Sequence, residues 1–410
     1  MSASPTESRS SSTFASTRWR LTLVASAILV SVVAPQATAS DTVKHNRLTA
    51  EELNDGWISL FDGKTLFGWR VASKAEWSVI DGAIEVSQGQ AGLLHTTSQF
   101  ADFELKFDFQ ADEGTNSGIF LRTPPVPTDP AKDCYELNIA SPNESPFPTG
   151  SFVNRKKGSN EQFDTAWHRY HVIAVGGKFT VRLDGKLVLV YEDAKPLGRG
   201  YIGLQLNRGR VAFRNIKLRP LRTRALFNGR DLSGWSVFPD KQSEFSVQEG
   251  TLRIVNGPGQ LESGSQWTDF VLQTQIRVDG DGLNSGIFFR SIPGDYSMGY
   301  ESQIHNGFTD GDPTKPSDFG TGGIFRRQKA RQVVAKDREW FHKTIVCESK
   351  HMAVWVNGYQ VSDWTDRRQP HDNPRKGLRL KQGSIILQGH DPTTDISFRN
   401  MRIVEMAPRR

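Results

Sequence analysis

The chain has 410 residues and a formal net charge of +6, with 37% hydrophobic and 23% charged residues. These proportions exclude an intrinsically disordered chain, and the length exceeds one ordinary hydrophobic core, so two domains are expected. The basic residues are scattered among 45 acidic ones and form no basic helix or RNA-binding aromatic motif, which excludes nucleic acid as a partner.

The first 39 residues have the pattern of a secretory signal peptide. Arg18 and Arg20 precede an apolar run over 21–34, and residues 37–39 provide an Ala-x-Ala cleavage site. We therefore expect an exported protein, periplasmic or extracellular, with no membrane span after signal cleavage; an uncleaved anchor is the competing interpretation. A polar lead-in over 40–56 follows.

The remainder of the chain contains two copies of one unit. Trp69 ends the motif LFDGKTLFGW, and Trp235 ends its second version, LFNGRDLSGW. Further matches follow in the same order, and a repeat period as long as a domain indicates a domain duplication rather than a solenoid. The predicted domains are 57–220 and 223–405.

Alternation of apolar and polar residues dominates both units. In 103–109, Phe and Leu occupy one face and charged residues the other, as in a strand that packs on a core. Asp184-Gly185 and Asn357-Gly358 each separate two such runs, which predicts tight β-hairpins. No long segment has a helical period, so we predict an all-β chain with a two-sheet sandwich or jelly roll in each half.

A row of polar side chains in the second unit indicates a binding surface. Alternation places Glu301, Gln303 and His305 on one face of a strand, shortly after an Asn-Ser-Gly segment that begins at Asn284. A half-solvated strand needs no such set, whereas a concave sheet that binds a polar ligand does. In the first unit, Asn116 and Glu136 are kept, but Asn138 and Ala140 replace the glutamine and the histidine.

A second histidine also distinguishes the later unit. His390 follows Gln388 at the position where the first unit has Asn207. Two histidines gained in one copy favour an acid–base pair or a metal site. A divalent cation is therefore a possible cofactor, with an oxygen-rich site completed by nearby acids that match no EF-hand spacing, namely Asp310, Asp312 and Asp391.

Arginine and tryptophan residues near this surface each have a structural and a functional interpretation. Arg290 is predicted to face Glu301 of the next strand, as Arg122 faces the glutamate of the first unit. Such an arginine is either a surface ion pair or a fork that holds ligand oxygens. Trp355 and Trp364 are either core residues or stacking platforms for a sugar.

A long loop over 306–323, rich in Gly and Asp, is typical of a functional loop. It leads to Arg326 and Lys329, which are either solvated or directed at a ligand. No phosphate-binding glycine loop, Cys-x-x-Cys, zinc-protease motif or nucleophile elbow occurs. Cys134 and Cys347 lie in different halves, so a disulfide scaffold is excluded.

The ordered set of motifs resembles the 3-keto-disaccharide hydrolase domain family, also described as 3-keto-glucoside 1,2-lyases or 3-keto-glucal hydratases. The resemblance spans nearly all of 57–405, twice, and implies a concanavalin-like jelly roll in each unit that handles sugar on its concave face. The segments that carry it in the first unit are 60–69, 116–120, 135–136, 200–203 and 213–216, and their second-unit equivalents match as well.

The chemistry implied by this resemblance is elimination followed by hydration. A ketone at C3 acidifies the C2 proton, so a base removes it and the C1 substituent leaves; water then adds back, giving net hydrolysis. The resemblance assigns the base to His305 or Glu301, enolate stabilisation to Arg290 or a cation, and the acid to His390. The remaining candidates are substrate-binding, namely Asn284, Gln303, Arg326, Lys329, Gln388, Trp355, Asn116, Arg122 and Glu136.

Two other functions remain open from the sequence. The protein is either this exported enzyme, with its site in the second domain, or a non-catalytic lectin-like protein that only holds glycans. A structural envelope protein is the third possibility. Because the first unit lacks both histidines, we interpret it as a binding or structural copy.

Overall fold

The computed structural model describes residues 45–141, 143–159 and 164–408. The expected signal peptide, 1–39, and the start of the lead-in lie outside these residues. Within the described part, no helix is long and apolar enough to cross a membrane, and both cysteines are buried free thiols.

The two sequence repeats fold into separate sets of strands. The first set, with two short helices, comprises α1 (Ala50–Asn54), β1 (Ile58–Ser59), β2 (Trp69–Val71), β3 (Ser78–Ile80), β4 (Ala83–Val86), β5 (Gly92–Thr96), β6 (Phe103–Ala111), β7 (Asn116–Thr123), α2 (Pro130–Asp133), β8 (Tyr135–Ala140), β9 (His168–Val175), β10 (Lys178–Leu183), β11 (Lys186–Glu192), β12 (Tyr201–Leu206) and β13 (Val211–Pro220). The second comprises β14 (Arg224–Ala225), β15 (Trp235–Val237), β16 (Glu244–Gln248), β17 (Thr251–Val255), β18 (Gly259–Trp267), β19 (Phe270–Val278), β20 (Ser285–Ser291), β21 (Tyr300–Ile304), β22 (Phe341–Glu348), β23 (His351–Val356), β24 (Tyr359–Thr365), β25 (Gly383–Gly389) and β26 (Asp395–Glu405).

Each set forms an eight-stranded and a five-stranded antiparallel sheet. In the first domain the order is β11-β10-β9-β6-β13-β4-β3, with β1 beside β13, and β2-β5-β12-β7-β8. The second domain repeats both orders as β24-β23-β22-β19-β26-β17-β16, with β14 beside β26, and β15-β18-β25-β20-β21. The predicted all-β fold with two tandem jelly-roll sandwiches is confirmed.

Alternation correctly predicted which side chains fill the core. Phe103, Leu105, Phe107 and Phe109 of β6 are buried in the first core. Asp184 and Gly185 both have positive φ, as the tight turn between β10 and β11 requires, and the Asn-Gly pair between β23 and β24 does the same.

The second domain buries the outer face of its large sheet against the first. Val271, Val346, Ala353 and Trp355 point away from their own core and join the core cluster of the first domain. Trp355 is 1% exposed, and its Nε1 donates to the carbonyl oxygen of Ser59 at 2.9 Å. The expectation that Trp355 stacks on a sugar is therefore wrong, because the other domain covers its face.

Arg290 is also buried, which corrects its expected contact with Glu301. A register shift follows Phe288 and Arg290 has a φ of 47°, so alternation stops before it. Its guanidinium is 0% exposed and donates to the carboxylate of Asp269 at 2.7 Å and to three carbonyl oxygens, those of Thr268, Ser349 and Arg379.

Arg122 repeats this arrangement in the first domain. It also has positive φ, at 51°, near the end of β7, and it donates to Asp102 and to three carbonyl oxygens, those of Ala101, Gly176 and Leu197. The shared arginine is thus a structural clamp between the sheets, and neither copy is placed to hold a ligand.

We predict that Arg290→Met lowers the free energy of unfolding by about 3–5 kcal/mol, because it leaves buried oxygens without their charged donor. Denaturant unfolding measures this, and Arg122→Met should behave alike. Lys329→Ala, at an exposed position, is the control and should change stability by no more than about 0.5 kcal/mol. Equal stability of Arg290→Met and the wild type would contradict the clamp.

Candidate active site

The outer face of the second five-stranded sheet carries a group of polar side chains, which we call the polar face. Glu301 and Gln303 of β21 lie on it, with Phe288 and Gly286 of β20 directly opposite them. Gln388 of β25 shares this face, because residues two positions apart along a strand point the same way. The alternate residues of the same strands belong to the core.

Each residue of the Asn-Ser-Gly segment that begins at Asn284 makes a contact that shapes the polar face. Asn284 Nδ2 donates to Asp318 at 2.6 Å, and Asn284 Oδ1 accepts from Gln303 at 3.0 Å. Ser285 donates to the carbonyl oxygen of Gln388 at 2.7 Å, tying β20 to β25. A Cβ on Gly286 would lie 2.7 Å from Glu301 Oε1, so only glycine leaves room for that carboxyl group.

Glu301 is the titratable group at the centre of the polar face. It is 6% exposed, and burial raises the pKa of its carboxyl to about 7. Arg375 and His390 oppose this rise as nearby cations, whereas Asp318 adds to it. A carboxyl of this kind exchanges a proton near neutral pH, as a general base requires.

Two amide oxygens of the polar face are buried and have no hydrogen-bond partner among the residues that the structure describes. They are Oε1 of Gln303 and Oε1 of Gln388. Gln303 Nε2 is already engaged, since it donates to Asp318 at 2.7 Å. Buried polar atoms are normally paired, so these two oxygens are available acceptors for ligand hydroxyl groups.

The two histidines differ in their relation to Glu301. His390 is exposed, its Nδ1 pairs with Asp391 at 2.7 Å, and its charge acts on Glu301. His305 is half-buried at the end of β21, where its Nδ1 accepts from the backbone of Gly307 at 3.2 Å. The structure therefore brings His390 into the electrostatic environment of Glu301 and holds the ring of His305 in a local turn.

Arg375 is a site residue that the sequence reasoning missed. It lies in the connection 366–382 and contacts Glu301 Oε2 at 3.1 Å. Its guanidinium lies over the rings of Phe288 and Phe325, 5.1 and 5.7 Å from their centroids. The sequence did contain one signal for this residue, namely the length of the connection. The matching connection of the first domain, 193–200, is shorter and has fewer Arg and Lys residues.

The other expected ligand contacts lie further out. Arg326 is exposed, lies over Phe325 and lines a cavity of about 50 Å³ together with Glu301 and Arg375. Lys329 is exposed. Trp364 packs edge-on against Tyr300, with centroids 6.2 Å apart.

The acids expected to complete a cation site do not converge. Asp310 pairs with Lys315 at 3.0 Å, Asp312 accepts from Thr314, and Asp391 binds His390. Among the described residues, no group of three or more His, Cys, Asp or Glu side chains is placed to hold a metal ion.

The first domain has a similar arrangement of polar side chains, with fewer charged groups acting on its glutamate. Glu136 is 6% exposed and burial raises its pKa to about 7, opposed only by a hydrogen bond from Gln205. Within the described part of the chain, the Oε1 of Gln205 and the Oδ1 of Asn138 are buried without partners, as at the matched positions of the second domain. Asn116 differs from Asn284, because it donates to the backbone of Glu144 at 3.3 Å.

Comparisons with known proteins agree on one family. A sequence model described as the 3-keto-alpha-glucoside-1,2-lyase-like domain matches residues 56–219 and 222–404. The 3-keto-disaccharide hydrolase of Bacteroides thetaiotaomicron is 25% identical over 230 residues, which cover 41% of this chain and 79% of that protein.

Solved structures include similar proteins as well. A Parabacteroides distasonis protein provisionally described as a glycosyl hydrolase is 21% identical with a TM-score of 0.39, covering 43% of this chain and 100% of that one. A carbohydrate-binding module from Bacillus subtilis is 15% identical with a TM-score of 0.31, covering 41% of this chain and 93% of that one.

We predict that Arg375→Met raises the pKa of Glu301 above about 7, because the largest opposing cation is lost. Carboxyl chemical shifts in a protein labelled with ¹³C-glutamate measure the midpoint. Arg326→Met is the matched control, since Arg326 is not among the main influences on the pKa of this carboxyl, and it should move the midpoint less than Arg375→Met does. An unchanged midpoint in Arg375→Met would show that the ion pair does not tune Glu301.

Proposed function

Because this chain belongs to the family of 3-keto-alpha-glucoside-1,2-lyase-like domains, we propose that it cleaves 3-keto-glycosides by elimination and hydration at the polar face of its second domain. The observation that carries this proposal is the Glu301 carboxyl, buried between two unpaired amide oxygens and ion-paired with Arg375. The 3-keto-disaccharide hydrolase named among its relatives supports the same substrate class.

In the proposed first step, the Glu301 carboxylate removes the C2 proton of the 3-keto sugar. The electron pair of that C–H bond forms an enolate whose negative charge lies on the C3 oxygen. The enolate then collapses to re-form the C3 carbonyl and the C1–C2 double bond, and the leaving group departs with the electrons of the C1–O bond. His390 gives its proton to the departing oxygen. Water then adds across the double bond, its hydroxyl to C1 and a proton to C2, so the net reaction is hydrolysis.

Arg375 takes the role that Arg290 was expected to fill. Negative charge develops on the C3 oxygen as the C2 proton leaves, and a guanidinium beside the base stabilises that charge. The cavity at Glu301 is about 50 Å³, whereas ligand pockets usually reach about 300–1,000 Å³. The part-exposed Arg375 side chain is therefore proposed to shift when the sugar enters, and to pair with the C3 oxygen in place of Glu301.

The remaining polar side chains of the second domain are proposed to bind the sugar. Gln303 and Gln388 supply acceptors for hydroxyl groups, and Asn284 orients Gln303. Arg326 and Lys329 contact the outer part of the substrate. His305 contacts the ligand without a proton-transfer step, since Glu301 is the better-placed base.

We also propose that the protein is exported to the periplasm or the extracellular space. The basic residues, apolar run and Ala-x-Ala site within residues 1–39 support this location. A 3-keto-glycosidase placed there would meet oxidised glycans outside the cytoplasm.

We predict that Glu301→Gln lowers kcat/KM on 3-keto-disaccharides by about 10²–10⁴-fold, because the amide cannot accept the C2 proton. Product release over a set of linkages measures the rate, and calorimetry measures retained binding. Glu136→Gln is the matched control and should keep full turnover. Binding of all substrates without turnover by the wild type would favour the lectin-like function instead.

A pH profile tests the ionisation state of the proposed base. The carboxylate is the active form, so kcat/KM should rise with pH through about 7, the pKa of Glu301. Exchange of the C2 proton for solvent deuterium should follow the same curve. A profile that falls through this range would assign the proton-removing role to another group.

A further inference from the structure

The first domain has a cavity of its own beside the glutamate that matches Glu301. It has a volume of about 410 Å³ and lies beside Glu136, whereas the cavity beside Glu301 has about 50 Å³. The two cavities lie on different sides of their glutamates, because the first is lined by β5, β12 and the segment 125–130, and the second by 324–327 and Arg375. The first cavity falls within the size range of small-molecule sites.

We infer that this cavity is a second carbohydrate site, which binds an uncharged pyranose sugar without cleaving it. The inference is independent of the catalytic proposal, because it uses none of the residues of the second domain.

Hydrogen-bonding groups of the cavity are buried and in part unpaired. Glu136 and Gln205 line it, and the Oε1 of Gln205 has no partner within the described chain. Buried polar atoms are normally paired, so the Gln205 oxygen and the Glu136 carboxyl are groups that sugar hydroxyls can pair with.

Apolar side chains form the rest of the lining. Phe120 and Leu93 belong to a small cluster on the outer face of the sheet, separate from the main core. Pro125, Val126 and Pro127 form the wall above them, with Val126 66% exposed. A sugar has C–H faces and a hydroxyl rim, so it fits a site with an apolar floor and a few polar groups.

The charge pattern selects an uncharged ligand. Among the described lining residues, Glu136 is the only titratable one, and the other polar members are Ser73, Gln90, Gln205 and Asn207. The nearby Cys134 thiol has a pKa of about 12 and stays neutral, and Arg155 is engaged by carbonyl oxygens and Asp193. With no cation acting on it, Glu136 stays protonated below about pH 7 and donates a hydrogen bond.

Binding of D-glucose and cellobiose to the full chain tests this inference, with Glu301→Gln as the background variant. Calorimetry should show an affinity that falls about tenfold from pH 6 to pH 8, because Glu136 loses its proton. Glu136→Gln should bind equally at both pH values, and Glu136→Ala should bind at least tenfold more weakly than the parent at pH 6.

Two further measurements separate this site from the catalytic one. Arg375→Met should leave the affinity for these two sugars unchanged, and glucuronate should bind more weakly than glucose. The inference is overturned if neither sugar binds, if Glu136→Ala binds as the parent does, or if glucuronate binds more tightly. None of these results bears on turnover, which Glu301→Gln alone decides.

Discussion

A glycine on β20 leaves room for a glutamate carboxyl on β21, and the polar face of the second domain depends on this contact. The Cβ that Gly286 lacks would lie 2.7 Å from Oε1 of Glu301, whereas a Cβ on Gly118 would make only an ordinary contact, at 3.4 Å, with Cγ of Glu136. Burial at the sheet surface raises the pKa of both carboxyls to about 7. Each domain thus has an acid poised near neutrality.

The two copies place this acid in different electrostatic surroundings. In the second domain Arg375, His390 and Asp318 all act on Glu301, so proton transfer and charge stabilisation can occur at one point. In the first domain Glu136 has only the amide of Gln205, in an open cavity.

Sequence patterns predicted the parts of this structure that depend on local geometry. Alternation gave the inward face of β6, the Asp-Gly and Asn-Gly pairs gave hairpins, and the motif set identified the family. The predicted contact of Arg290 with Glu301 was wrong because a register shift breaks the alternation before Arg290. The prediction that Trp355 stacks on a sugar was wrong because the first domain covers the outer face of its sheet. Arg375 was missed because the two residues are far apart in the sequence, and only the fold brings Arg375 to Glu301.

The covered outer face of the second domain has a consequence for how this protein can be divided. Cutting the chain between the repeats would present Val271, Val346, Ala353 and Trp355 to water as one continuous oily surface. A second half produced alone would tend to associate with itself or with other chains through this surface. The second domain therefore depends on the first to keep that face out of water.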